Sequence, residues 1–251
     1  MAEIIRLADA SEIAQEAARR CAQIAREAVE QRGSFSIALS GGKTPQRLYE
    51  LLASDPLRAE VPWEQTYLFW SDERRVGPNH EDSNYRLAKE SLLDHVPAPA
   101  DHVFRMLGEG LASSATRDYE DKLRRHFKLE RGEWPAFDLI LLGMGTDGHI
   151  ASIFPGTRAA SDLSNMVVCH EPPQLRKERI TFTRPVLSHA RNIMFLISGQ
   201  DKAAALAATL QGPYLPSTYP AQGIQPDPNN RIVWLIDEAA GSLLARDSLS
   251  D

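Results

Sequence analysis

A carboxylate and an imidazole, Asp147 and His149, stand two residues apart in a turn that contains three glycines. A carboxylate can orient an imidazole, and an oriented imidazole can act as a general base, so this pair indicates proton-transfer chemistry. Gly143, Gly145 and Gly148 permit backbone angles and close approaches that side chains would block. Both functional groups can therefore be presented at the end of a strand, as a catalytic centre requires.

The turn follows a short apolar run, Leu139–Leu142, which is typical of a strand buried on both faces of a parallel sheet. The glycines also match the dinucleotide fingerprint G-x-G-x-x-G, and Glu171 lies about where its ribose-binding acid would stand. That fingerprint must open a helix of about ten residues or more. Pro155 and Gly156 interrupt the chain too soon, which weighs against nicotinamide binding. A glycine-rich loop holding a structural histidine is the other alternative.

The stretch S-G-G-K-T-P, residues 40–45, follows a second apolar run at residues 35–39. Thr44 is a good N-cap and the proline after it a good first helical residue, so we predict a helix from there to about residue 53. Gly41, Gly42 and Lys43 then precede the positive end of that helix, where phosphate binds. The P-loop spacing is absent, which favours a sugar phosphate over a nucleoside triphosphate. An ordinary tight strand-to-helix turn is the alternative.

A charged stretch, S-D-E-R-R-V at residues 71–76, follows a third apolar run at residues 67–70. Charges at the end of a strand are often merely solvated. In an open parallel sheet, however, the carboxyl ends of the strands face one crevice where ligands bind. Asp72 and Arg74 are therefore expected beside the two glycine-rich turns.

A further strand is predicted at residues 193–197, followed by S-G-Q-D-K. Asp201 can cap the alanine-rich helix that comes next, which places Lys202 in its first turn. A cation is unfavourable there unless an anion or a carboxylate answers it, so Lys202 is a candidate phosphate ligand. A solvated lysine is the alternative.

The other segments complete an alternation of strands and helices. Ser11 can cap a first helix that carries Cys21 on its buried stripe, Ser83 or Asn84 can begin another, and the spacing of Tyr119 and its apolar successors predicts a third. Strands are predicted at residues 166–169, 180–182 and 232–236, and five prolines mark residues 213–228 as an irregular surface loop. The pattern predicts an α/β fold: a doubly wound, mostly parallel open sheet with helices on both faces.

Size and charge narrow the possible functions. The chain has 251 residues, 43% of them hydrophobic, and we expect a single domain over residues 1–251. A net charge of -6 argues against a nucleic-acid binder or an anionic-membrane protein. Cys21 and Cys169 are the only cysteines, and neither a signal sequence nor a membrane-spanning run is evident. The sequence therefore predicts a cytoplasmic protein with two free thiols.

Taken together, five stretches resemble the 6-phosphogluconolactonases in order and interval: S-G-G-K-T-P, S-D-E-R, G-M-G-T-D-G-H, R-I-T at residues 179–181 and S-G-Q-D-K-A-A-A-L. The ending W-L-I-D-E-A-A, residues 234–240, is similar as well. The resemblance implies hydrolysis of 6-phospho-D-glucono-1,5-lactone to 6-phosphogluconate, the second step of the oxidative pentose phosphate pathway. It implies two groups of residues. The catalytic residues are His149, Asp147, Arg74 and Asp72, and the phosphate ligands are Gly41, Gly42, Lys43, Thr44, Arg179 and Lys202.

Within that implied site, His149 would take a proton from the attacking water and Asp147 would hold the imidazole. Arg74 would stabilise the oxyanion or orient the lactone, and Asp72 would either position Arg74 or contact sugar hydroxyls. We expect no cofactor and no metal, because the other histidines form no metal-binding spacing. A serine hydrolase is disfavoured, since Ser152 is not in a G-x-S-x-G elbow. A small-molecule substrate is the expected partner, with a monomer as the expected assembly.

Two alternatives remain. The glucosamine-6-phosphate deaminases are similar in fold but carry a Tyr where this chain has Arg74 and a catalytic Glu where it has Phe154. A sugar-phosphate sensor could use the same pocket without chemistry. The sensor is disfavoured because no helix-turn-helix or basic arm is evident and both Asp147 and His149 are present.

Overall fold

The fold was described from a computed structural model, which describes residues 2–225, 228 and 230–245. The strands are β1 Ala2–Leu7, β2 Phe35–Leu39, β3 Thr66–Trp70, β4 Asp72–Arg74, β5 Leu139–Leu142, β6 Val167–His170, β7 Arg179–Phe182, β8 Asn192–Ile197 and β9 Arg231–Asp237. The helices are α1 Ala10–Arg32, α2 Lys43–Leu52, α3 Leu57–Glu60, α4 Asn84–Ser91, α5 Ala112–Phe127, α6 Arg158–Ser161, α7 Arg184–Ser188 and α8 Ala203–Gln211. Short 3₁₀ turns lie at Trp63–Gln65, Leu93–His95, Ala100–His102, Gln200–Lys202, Pro220–Gly223 and Ala240–Leu243.

Six strands form one parallel sheet in the order β1-β9-β8-β5-β2-β3. Every residue of β2 and of β5 is buried. Successive side chains of a strand point to opposite faces, so both faces of the sheet must be covered. The α/β class and the parallel sheet predicted from the sequence are confirmed.

The strand order reverses between β2 and β5. After β2 the chain moves outward to β3 at one edge, and it then returns past β2 to β5, β8 and β9. In doubly wound sheets a ligand crevice opens outside the carboxyl ends of the strands at such a switch point. Both glycine-rich turns follow the two strands that flank it.

The prediction of one sheet was incomplete. The strands β4, β7 and β6 form a separate antiparallel sheet, in which Asp72 pairs with Thr181 and Arg74 with Arg179. Ser71, between β3 and β4, donates its amide to the carbonyl of Leu39 in β2. The second sheet therefore begins where the main sheet ends.

Three predicted helix starts were wrong by one or two residues. The side chain of Asp9, not Ser11, accepts the amides at the start of α1. The helix α2 begins at Lys43, with Gly42 as its cap, so Thr44 lies inside its first turn. Asp201 does not cap α8: it lies in a 3₁₀ turn, and Lys202 is the residue before the helix. For α4 the prediction was right, since the Ser83 hydroxyl accepts the amide of Arg86.

The core is one cluster of buried apolar side chains around the main sheet, and Cys21 lies in it as predicted. Burial raises the pKa of the Cys21 thiol to about 12. The predicted loop at residues 213–228 is irregular apart from one 3₁₀ turn, and its residues 226 and 227 lie outside the described part of the chain. Within that described part, no helix combines the length and the apolar character that a membrane crossing requires.

Candidate active site

A crevice of about 350 Å³ lies at the carboxyl ends of β2 and β5. Turns that follow four different strands contribute to its wall. The lining residues are Ser40, Gly41, Gly42, Asp72, Arg74, Asn84, Gly143, Met144, Gly145, His149, Ala151 and Lys202. The sequence therefore correctly placed the three stretches around Gly41, Asp72 and His149 at one crevice.

The turn after β5 forms a closed hydrogen-bonded loop. The Gly145 amide donates to the His149 carbonyl at 2.8 Å, and Gly148 adopts a left-handed φ of 81°. A Cβ on Gly145 would lie 2.0 Å from Nδ1 of His149 and 2.7 Å from Oδ1 of Asp147. The two glycines serve different purposes: Gly148 permits the backbone turn, and Gly145 leaves room for the imidazole and the carboxylate.

Asp147 and His149 form the predicted pair. Oδ1 of Asp147 lies 2.6 Å from Nδ1 of His149 and also accepts the His149 amide at 3.2 Å. An ionised carboxylate can only accept hydrogen bonds, so Nδ1 must carry the proton when the ring is neutral. Nε2 is then the basic nitrogen of His149. Of the two residues, His149 is the one that lines the crevice.

The aromatic ring of Phe154 stacks on His149. The two ring centroids are 4.1 Å apart, the planes are inclined by 25°, and Phe154 is buried. One face of the imidazole is thereby shielded from water and fixed in orientation. In the sequence, Phe154 stands out only because the deaminases, by resemblance, carry a glutamate at this position. The spacing of Phe154 from His149 does not predict the stacking of the two rings.

The phosphate cradle predicted after β2 lies at the same crevice. Gly41 and Gly42 line the crevice, and α2 has no side-chain cap at its N-terminus. The amides of Lys43 and Thr44 lie in the first turn of α2, where no intrahelical acceptor exists. The Lys43 side chain is exposed, and neither it nor Thr44 belongs to the lining of the crevice. These amides and the helix dipole can attract an anion.

Asp72 and Arg74 come from β4. The Asp72 carboxylate accepts Oγ of Ser152 at 2.7 Å and Nδ2 of Asn84 at 3.3 Å. The Arg74 guanidinium donates instead to the carbonyl oxygen of Asp82. Among the described residues, no hydrogen bond or ion pair joins Asp72 to Arg74, so the interpretation in which Asp72 positions Arg74 has no direct bond to support it. The other interpretation, contact with sugar hydroxyls, stays a prediction.

Two further cations were predicted as phosphate ligands. Lys202 lines the crevice, and its ammonium lies 3.2 Å from the carboxylate of Asp201, which supplies the counter-charge its position needs. Arg179 is partly buried opposite Arg74 on the neighbouring strand, but it is not part of the lining. Burial, and then the charge of Arg74, lower the pKa of Arg179. Two guanidinium groups side by side repel each other and favour an anion between them.

Asn84 and Ser152 are the site residues that sequence reasoning missed. Both are buried, and both hold Asp72 across large sequence separations. The sequence pattern predicts a helix start at Ser83 or Asn84 and disfavours Ser152 as a nucleophile. Neither pattern predicts a contact with Asp72. The irregular loop also reaches the turn after β5, because Cδ1 of Tyr219 lies 3.0 Å from where a Cβ on Gly148 would be.

The other histidines lie elsewhere. His126 packs among aromatic rings that include Tyr67 and Phe69, and burial lowers its pKa to about 4. His170 hydrogen bonds to the Ser152 carbonyl at 2.7 Å, and burial lowers its pKa as well. Among the described residues, no group of three or more His, Cys, Asp or Glu side chains could hold a metal ion.

Comparisons with known proteins agree with this geometry. The sequence model of the family described as glucosamine-6-phosphate isomerases/6-phosphogluconolactonase matches residues 8–234. A 6-phosphogluconolactonase of Synechocystis sp. is 41% identical over 221 residues, which cover 87% of this chain and 88% of the relative. The structure of 6-phosphogluconolactonase from Trypanosoma cruzi superimposes with a TM-score of 0.86 at 27% identity, covering 98% of this chain and 97% of that one. A monomeric glucosamine-6-phosphate deaminase also superimposes, with a TM-score of 0.80 over 96% of this chain and 99% of that one, but at 22% identity it shows a shared fold alone.

Proposed function

The chain belongs to the family of glucosamine-6-phosphate isomerases and 6-phosphogluconolactonases, and on this premise we propose that it hydrolyses 6-phospho-D-glucono-1,5-lactone to 6-phospho-D-gluconate. The observation that carries the proposal is the Asp147–His149 pair, with its 2.6 Å hydrogen bond, at a crevice that is also lined by Gly41 and Gly42, the residues before α2. A base and an anion site at one crevice suit a phosphorylated ester. The chain is thus a carboxylic ester hydrolase.

The phosphate binds at the start of α2. Gly41 and Gly42 allow close approach, and the Thr44 hydroxyl and the amides of the first turn donate hydrogen bonds. The ammonium of Lys202 contributes a point charge from across the crevice, and Lys43 adds to the local positive potential. Arg179 can bind bidentately once it turns away from the Glu178 carbonyl, which it now contacts at 3.2 Å.

With the phosphate anchored, the lactone carbonyl carbon lies near His149. Nε2 takes a proton from a water molecule as the water attacks that carbon. Asp147, hydrogen bonded to Nδ1, stabilises the imidazolium that forms. The Arg74 guanidinium stabilises the negative charge that develops on the carbonyl oxygen. His149 then returns its proton to the ring oxygen as the carbon–oxygen bond breaks.

The lactonase is favoured over the deaminase at two positions. The proton shuttling that ring opening of an amino sugar needs requires an ionisable group, and by resemblance the deaminases carry a glutamate at the position of Phe154. Here an apolar ring packs against His149 at a centroid distance of 4.1 Å. Arg74, a cation, stands where the deaminases carry a tyrosine. Both differences suit oxyanion stabilisation and water activation.

The test follows lactone hydrolysis by coupling freshly made substrate to 6-phosphogluconate dehydrogenase and subtracting the spontaneous rate. His149→Ala should lower kcat by about 10²- to 10⁴-fold with little change in KM, since only the base is lost. Lys202→Ala should mainly raise KM. His95→Ala and Lys122→Ala, which change the same residue types at positions away from the crevice, are the matched controls. Equal losses of kcat with unchanged KM in both test variants would contradict these roles.

We further propose that the chain acts as a single-domain monomer in the cytoplasm without a metal or cofactor. A δ-lactone hydrolyses in water unaided, so positioning and one general base are sufficient. Two free cysteines suit a reducing compartment. Unchanged activity after treatment with EDTA, a light-scattering mass near 27.9 kDa and recovery of the protein in the cytosolic fraction are the expected results.

A further inference from the structure

Asp72 is a buried carboxylate that lines the crevice. It is 6% exposed, and no lysine or arginine among the described residues forms an ion pair with it. Its two oxygens each accept one side-chain hydrogen bond, from Ser152 at 2.7 Å and from Asn84 at 3.3 Å. A carboxylate has about four acceptor sites, so roughly two remain. Burying them is costly unless a ligand donates to them.

Asn84 fixes this carboxylate in place. Its Nδ2 donates both to the carboxylate and, at 3.0 Å, to the backbone carbonyl of the same residue, Asp72. Its own backbone is held as well, because its amide donates to the buried carboxylate of Glu73 at 2.8 Å. The side chain is 1% exposed and therefore has little freedom to rotate. Asn84 thus bridges the start of α4 to Asp72, the first residue of β4, in the wall of the crevice.

The other end of the amide contacts the phosphate cradle. Oδ1 of Asn84 is buried, and no group in the described part of the chain donates a hydrogen bond to it. A Cβ on Gly41 would lie 1.9 Å from this oxygen, so the amide fills the space beside the Gly41 α-carbon. A buried acceptor without a donor destabilises the fold, which indicates that this asparagine serves the site rather than stability. The Asn84 side chain therefore contacts both the phosphate cradle, at Gly41, and the carboxylate of Asp72.

Resting on the proposed function, we propose that Asn84 is a positioning residue that holds Asp72 in the orientation in which its free acceptor sites bind a ring hydroxyl of the sugar lactone. Asp72 is then the residue that makes the site select a hydroxylated ring. Ser152 supports it from the second oxygen. A site built to receive a hydroxyl discriminates strongly against an analogue that lacks it, because its buried acceptors are left unpaired.

The test compares the parent lactone with its 2-, 3- and 4-deoxy analogues, each made by oxidising the corresponding deoxyglucose 6-phosphate. Hydrolysis releases a proton, so a pH indicator follows all four substrates. In the wild-type protein, one analogue should have a kcat/KM about 10- to 100-fold below that of the parent. Asn84→Ala should lower kcat/KM for the parent by about 10-fold or more and leave that analogue nearly unchanged, so that discrimination collapses.

A merely structural role gives a different result. If Asn84→Ala lowers kcat/KM by the same factor on the parent and on all three analogues, the inference is overturned. Asp72→Ala should also abolish discrimination, and adding Asn84→Ala to it should cause no further loss, since one residue acts through the other. Ser91→Ala removes a buried hydroxyl from the same helix, where it bonds the Leu87 carbonyl, and should leave discrimination intact.

Two further measurements keep the inference separable from the proposed function. Should Asn84→Ala not fold, Asn84→Ser keeps a small polar side chain and is expected to show a partial loss of discrimination. Should the wild-type protein hydrolyse no lactone above background, the proposed function fails, and calorimetry with 1,5-anhydroglucitol 6-phosphate, which keeps the six-membered ring, and its three deoxy analogues tests the inference directly. Binding that weakens for one deoxy analogue in wild type but not in Asn84→Ala supports it, and equal weakening in both proteins overturns it.

Discussion

A methyl group at position 145 would occupy the space in which the imidazole of His149 lies. A Cβ built on Gly145 is 2.0 Å from Nδ1 and 2.2 Å from Cε1 of that ring, and 2.7 Å from Oδ1 of Asp147. Carbon atoms in contact prefer separations of roughly 3.5–4.0 Å, so the ring must move by about 1.5 Å. Phe154 already covers one face of the ring, which limits where it can go.

The backbone should tolerate the change. Gly145 does not have a positive φ, in contrast to Gly148, so alanine is not excluded by its own conformation. Displacing a catalytic group by about 1 Å can lower a rate by about 10²-fold, and general bases contribute about 10²- to 10⁴-fold. We therefore expect Gly145→Ala to lower kcat by about 10²- to 10³-fold, which corresponds to about 3–4 kcal/mol of transition-state stabilisation.

The assay is the coupled measurement of lactone hydrolysis, with circular dichroism to verify folding. Gly77→Ala is the matched control, because a Cβ there meets nothing within 4 Å and the residue lies outside the crevice lining. KM should change little, since the phosphate cradle is untouched. The double variant Gly145→Ala/His149→Ala should be no slower than His149→Ala alone, because both changes remove the same function. Additive losses, or a folded Gly145→Ala variant with nearly wild-type kcat, would refute the reasoning.

Three other perturbations have expected outcomes. Phe154→Leu should lower kcat by about 10-fold with KM nearly constant, because the stacking that orients His149 is lost; an unchanged kcat would argue that the ring only fills space. Burial lowers the pKa of His126 to about 4, below its ordinary 6.5, so the stability that comes from keeping it neutral is present above pH 6.5 and is lost as the pH falls toward 4. Because His126 is partly exposed, we expect the loss of unfolding free energy to be on the order of 2 kcal/mol. In His126→Phe the unfolding free energy, measured with urea, should therefore change less over this pH range. Burial raises the pKa of Glu73. The wild type should therefore lose unfolding free energy relative to Glu73→Gln as the pH rises above 4.5, the ordinary pKa of the side chain. Parallel pH profiles of the unfolding free energy in the two proteins would contradict this.

The parallel sheet was predictable because its central strands are uninterrupted apolar runs. Phe35–Leu39 and Leu139–Leu142 are buried at every position, and a strand that is buried on both faces leaves this pattern in the sequence. The strand β1 was missed for the opposite reason. Its sequence A-E-I-I-R-L includes two charges, it pairs only with β9 at the edge of the sheet, and none of its described residues is fully buried. Edge strands can be half polar, so periodicity alone does not reveal them.

The candidate site was predictable as far as local turns define it. Glycine residues, a helix start and a strand end can be recognised from neighbouring residues, which is why the cradle at Gly41 and the pair at His149 could be placed in one crevice. The contacts of Asn84 and Ser152 with Asp72 are different. They join residues 12 and 80 positions apart, and they depend on how α4 and the turn after β5 dock on the second sheet. No spacing in the sequence encodes such a contact.

The short strand β4 explains why three consecutive residues, Asp72, Glu73 and Arg74, can all be charged or ionisable and partly or wholly buried. Successive side chains of a strand alternate in direction, so the first and third face the crevice together while the second points away. Glu73 accepts the amides of Asn84 and Tyr85 at 2.8 Å each, which places a carboxylate at the positive end of α4. The helix that is fixed in this way begins with Asn84, whose side chain returns to hold Asp72. Glu73, which faces away from the crevice, therefore anchors the helix whose first residue holds Asp72. In this way Glu73 determines how Asp72 is oriented in the crevice.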